Sequence, residues 1–140
     1  MHQDKLDAKK NQSASTLGAL PDATAKQLSL IETQLQDNKA VDVQLINVRE
    51  RSSIADILVI ASGNSSRHVK AMAEYLTQML KTKGQPALGV EGEKDGEWVL
   101  VDAGDIIVHL MLPQIREFYN LESLWDEPRS RDIDIFKASE

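Results

Sequence analysis

A chain of 140 residues with a formal charge of −6 and no cysteine has room for one domain around a single core, and it excludes disulfides, thiolate metal sites and thiol nucleophiles. No run approaches the roughly 18 apolar residues of a membrane span, and MHQDKLDAKK has no apolar stretch behind its lysines, so a cytoplasmic protein without membrane contact is expected. The acidic balance argues against a face built to neutralise phosphates.

Residues 1–22 have little apolar content and no period, and read as a disordered tail ahead of a domain over 23–125. Pro21-Asp22 opens a helix, with Asp22 as N-cap and Leu28, Ile31 and Leu35 as its buried stripe, ending near Asn38. Val41 to Val48 alternates and is a first strand; after the polar RERSS connection, Ile54 to Ala61 is apolar on both faces and reads as a central strand. An amphipathic helix follows from about Ser66 to Lys83, with Val69, Met72, Ala73, Leu76 and Leu80 inward and Gly84 as its stop. Pro86 to Glu91 supplies a short strand, and strand, helix and strand are expected to form a right-handed crossover unit with parallel strands.

The stretch EWVLVDAGDIIVHLM reads as a hairpin turning at Ala103-Gly104, with Asp102 opposite Asp105 and Trp98 opposite His109. Alternation then gives Val99, Val101, Ile106, Val108 and Leu110 a purely aliphatic core face. Trp98, Leu100, Asp102, Asp105, Ile107 and His109 share the other face. Pro113 opens a last helix carrying Ile115, Phe118 and Tyr119 ahead of Leu121, Leu124 and Trp125, and residues 126–140 resume tail-like composition. The expected fold is α/β in the α+β sense, a five-stranded mixed sheet flanked by about three helices.

Three groups of residues could carry chemistry. SGNSSRH, between strand and helix, could offer N–H groups to an anion, although it lacks P-loop spacing and a plain N-cap explains it as well. Asp102 and Asp105 could bind a divalent metal for nucleotidyl transfer, but no basic residues for a triphosphate accompany them, and Asp is common at turns for its own hydrogen bonds. His68 and His109 have no spacing that enforces a metal site. No catalytic residue, metal or cofactor is therefore assigned. Trp98, flanked by Leu100 and Ile107 and surrounded by six carboxylates (Glu91, Glu93, Asp95, Glu97, Asp102, Asp105) against Lys94, has the composition of a protein-binding patch. A second core beneath the last helix is an equally good reading of the same residues.

The runs SSIADILVIASGNSSRHV, GVEGE, WVLVDAGDIIVH and REFYNLESLW, in this order and at this spacing, closely resemble the bacterial ribosomal silencing factors, the RsfS or Iojap family, over about Ala25 to Trp125. The resemblance implies a nucleotidyltransferase-like fold without that activity, acting as a translational repressor under nutrient limitation. It implies binding to the large ribosomal subunit through a basic protein, the fourteenth of that subunit, with little direct RNA contact, so that small-subunit joining is blocked sterically; a homodimer is compatible with it. The family's contact surface falls here on Trp98, Asp102, Asp105 and Tyr119, to which the hairpin pattern adds Leu100, Ile107 and His109. The runner-up is an enzyme using Asp102 and Asp105 as metal ligands.

Overall fold

The computed structural model describes residues 20–126, and the expected tails lie outside them except at their inner ends. Leu20 is buried and the first helix begins at Asp22, so ordered structure starts slightly before the boundary expected at residue 23. The elements run α1 (Asp22–Asp37), β1 (Val41–Asn47), β2 (Ile57–Ser62), α2 (Ser66–Thr82), β3 (Gly89–Glu91), β4 (Trp98–Asp102), β5 (Ile106–Met111), α3 (Pro113–Tyr119) and the single turn α4 (Ser123–Asp126).

Both long helices form where the apolar period places them. In α1, Leu28, Ile31 and Leu35 are buried with Thr24; Pro21 is the N-cap and Asp22 the first helical residue, where its charge still suits the positive end of the helix. In α2 all five expected inward residues are buried. Ser65 caps its start, and its end closes with Gly84 N–H on the Lys81 carbonyl and Gln85 N–H on that of Leu80, the paired bonds of a Schellman stop. These helices pack on the face formed by Ile57, Val59, Ala61, Val99, Val101, Ile106, Val108 and Leu110, so the aliphatic face of the hairpin is the core face.

The sheet order is β1-β2-β5-β4-β3, with β2 and β5 parallel and the other three pairings antiparallel. The expected crossover unit is therefore split. β2 and β3 point the same way, but β5 and β4 lie between them and β3 is an edge strand. The cause is the hairpin, whose last strand is the most apolar and takes the central place beside β2. β2 also starts later than expected, at Ile57: Ile54 is 67% exposed, and its N–H is taken by the Ser52 hydroxyl.

The hairpin register differs from expectation by two residues. Trp98 faces Met111, Leu100 faces His109, Val101 faces Val108 and Asp102 faces Ile107, so the two-residue turn is Gly104-Asp105. Gly104 has φ +93°, which places glycine at the first central position of the turn, where an L side chain would be strained. A shift of two preserves the side of every strand residue, which is why both faces survive the error.

Candidate functional site

On the face away from α1 and α2, strand pairing aligns Gln44, Ile60, His109, Leu100 and Glu91 in one row across the sheet. A second row holds Ile46, Leu58, Ile107, Asp102 and Gly89. This face divides in two. Ile60 of β2 and Met111 at the end of β5 are fully buried, though neither belongs to the main core. The segment from α3 to α4 is fastened at both ends to the β1–β2 side of this face. Arg116, 7% exposed, donates from Nε to Glu122 at 2.7 Å and from Nη1 to Ser62 Oγ at 3.0 Å, while Nη2 lies 3.7 Å from Asp42. At the other end Arg51 donates to the Trp125 carbonyl at 3.1 Å, with its guanidinium 5.7 Å from that ring.

The β4–β5 side is left half open. Trp98, Leu100, Asp102, Ile107 and His109 are each partly exposed there. Trp98 donates from its indole nitrogen to His109 Nδ1 at 2.9 Å, with the rings 5.9 Å apart and tilted by 50°. Tyr119, at the end of α3, reaches over to place its ring 4.9 Å from Trp98, and Phe118 meets Tyr119 edge-on at 5.0 Å. Both remain open to solvent, Tyr119 at 53% and Phe118 at 79%. Phe118 was not among the residues expected here; its exposure next to Tyr119 follows from the end of α3 at Asn120, whose φ of +46° turns the chain away. Burial lowers the His109 pKa to about 4, so the ring is neutral near pH 7.

Each half of the second face thus answers one of the two readings left open by the sequence: a small second core under α3–α4, and an exposed aromatic patch beside it. Asp105 is the one expected member that the structure takes away. Its carboxylate accepts from Thr24 Oγ at 3.3 Å, which turns it toward the start of α1 on the core side, while its carbonyl receives the N–H groups of Asp56 and Ile57. Asp102 stays on the patch, where one carboxylate oxygen accepts the Gly104 N–H at 2.9 Å. The two carboxylates take separate hydrogen-bond partners, and among the described residues no cluster of three or more His, Cys, Asp or Glu could hold a metal.

SGNSSRH is occupied with itself. Asn64 N–H donates to His68 Nδ1, His68 N–H donates to Ser65 Oγ, and His68 Nε2 lies 2.8 Å from the Asn38 carbonyl. With Nδ1 accepting, Nε2 must carry the proton and donate, so His68 ties the end of α1 to the start of α2. Two of the N–H groups an anion would use, those of Asn64 and His68, are thus taken, and Asp37 lines the same depression.

Residues 21–140 match the family described as ribosomal silencing factor during starvation. The chain belongs to that family. It is 44% identical over 112 residues to the ribosomal silencing factor RsfS of Zymomonas mobilis, an alignment spanning 76% of this chain and 84% of the relative. A mouse relative, mitochondrial assembly of ribosomal large subunit protein 1, is 39% identical over 101 residues, spanning 70% of this chain and 44% of that longer protein. Among solved structures, a Chromobacterium violaceum protein superposes with a TM-score of 0.71 at 38% identity, covering 74% of this chain and 87% of its own. A Bacillus halodurans structure gives 0.66 at 35%, covering 71% and 93%. Proteins named as ribosomal silencing factors thus share sequence with this chain, two bacterial structures share its fold, and no described helix is long and apolar enough to cross a membrane.

Proposed function

We propose that this protein represses translation by seating the open β4–β5 face on the large ribosomal subunit, where its bulk keeps the small subunit from joining when nutrients are short. The observation that carries this is the partly exposed cluster of Trp98, Tyr119 and His109 with Leu100 and Ile107, on the sheet face that also holds the carboxylates of Glu91 and Asp102. An apolar centre with a charged rim is the anatomy of a protein contact, and an acidic rim suits a basic ribosomal protein far better than bare RNA. The fourteenth large-subunit protein, the family's implied partner, is the candidate. The name of the mouse relative, which refers to the large subunit, supports the same location.

Steric blocking needs affinity and size but no reacting group. A standard contact of about 800 Å² per partner is within reach of a domain of this size. Leu100, Ile107, Trp98 and Tyr119 would supply its apolar centre; Asp102 belongs to the rim, and Asp105 acts in the fold.

The test is sedimentation with purified large subunits at low and at high salt, alongside a subunit-joining assay. Binding to large subunits that weakens with salt, together with loss of joining, is the expected result. Binding to small subunits alone, or joining unaffected at saturation, would overturn the proposal.

A further inference from the structure

The indole N–H of Trp98 can only donate, so the 2.9 Å bond fixes His109 Nδ1 as an acceptor. A neutral imidazole then carries its one proton on Nε2. Among the described residues the only fully buried side-chain nitrogen or oxygen without a hydrogen bond is Arg116 Nη2, and no described residue accepts from His109 Nε2, so that atom keeps some contact with solvent. Its surroundings in the sheet are apolar: Ile60 on one side, Leu100 on the other, and the Trp98 ring diagonally across on β4. A single N–H of fixed direction therefore stands within an apolar patch, which would leave it unsatisfied beneath any purely apolar partner.

We propose that His109 Nε2–H sets the register of this face on its partner by donating to an uncharged main-chain carbonyl oxygen of a basic protein. This rests on the reading of the face as the ribosome contact. Anionic acceptors are disfavoured by the sign of the rim, since Asp102 lies on the next row of the same face and Glu91 lies beyond Leu100 in the row of His109 itself. A phosphate or carboxylate would be drawn to His109 only against that field, whereas a carbonyl oxygen meets no such repulsion. Trp98 is then both an apolar contact and the group that selects the tautomer of its neighbour.

Two substitutions separate the ring nitrogens. His109→Asn puts a side-chain oxygen near the Nδ1 position, keeping an acceptor for Trp98 while removing the outward donor. His109→Gln places an amide near Nε2, keeping a donor and losing the acceptor for the indole. The full chain labelled with 15N at tryptophan reports the Trp98 indole N–H, and affinity is read with purified large subunits. The expected result for His109→Asn is a folded protein with the indole signal of the unaltered chain and affinity lowered about tenfold or more, the effect of leaving a buried acceptor unpaired. His109→Gln should shift the indole signal and lose less affinity than His109→Asn. Unchanged affinity in His109→Asn with the indole signal retained overturns the donor inference. Trp98→Ala distinguishes the cause: if it abolishes binding while His109→Asn does not, only this inference fails, and if it too leaves binding unchanged, the contact face itself is wrong.

Discussion

Trp98 and Val108 lie on paired strands of one hairpin but on opposite faces, and they should fail in different ways when replaced. Val108 is fully buried among aliphatic neighbours, so Val108→Asp places a carboxylate where nothing described can pair with it and should cost several kcal/mol. Trp98→Ala should leave most of the melting temperature in place while weakening subunit binding by about 2 kcal/mol or more, as truncation of an interface anchor does. Thermal melts and sedimentation on both variants check this; unfolding of Trp98→Ala would show that the ring serves stability first. His109 adds a pH dependence of definite sign. Its pKa lies near 6.5 in the unfolded chain and at about 4 in the fold, so between these values the unfolded state binds the extra proton. The stability due to the neutral ring is complete above pH 6.5, falls as pH drops toward 4 and levels off below it, by at most about 3 kcal/mol. Melts from pH 7 to 4 should show that slope, and His109→Asn should be flatter across the same window.

At the scale of elements, the hairpin shows which features a sequence can carry. Alternation fixed the faces of Val99, Val101, Val108 and His109, because side-chain parity survives a register error of two. The register itself hung on which pair of residues made the turn, and the need of Gly104 for a positive φ decided it. Asp105 shows a second limit: its partner Thr24 lies 81 residues earlier, and no local pattern announces such a bond. The place of β3 at the edge was hidden for the same reason, since strand order depends on which strand is most apolar and not on chain order. The consequence for the acidic rim is that Asp105 should be left alone. Replacing Glu91 and Asp102 with Gln and Asn should slow association with large subunits more than it speeds dissociation, because rim charges act mainly on encounter. Raising salt from about 0.05 M to about 0.3 M screens such steering, so association of the unaltered chain should slow more than that of the double variant. Equal salt slopes would remove the rim from the mechanism. Asp105→Asn, by contrast, should show its effect in the melt through the start of α1.

For the whole molecule, Leu20 is the most N-terminal member of the main core among the described residues, and the residues before it and after 126 have no periodic apolar content. Removal of residues 1–19 and 127–140 should therefore leave a cooperative melt within a few degrees of the full chain; loss of cooperativity would show that one of the removed segments is structural. A cut that also removes Leu20 should be the more damaging one.

The placement of β5 between β2 and β4 also bears on how the protein is made. Ile57 pairs with Ile106 across about half the length of the domain, so β2 cannot acquire its central neighbour until almost all of the fold has been synthesised. Non-local pairing of this kind makes the closing step late and slow. β5 carries Val108 into the core and His109 onto the open face, on adjacent residues of one strand. Core and proposed contact surface therefore come into being in a single event, and under that proposal a chain still emerging from the exit tunnel has no assembled surface with which to engage the ribosome that is making it.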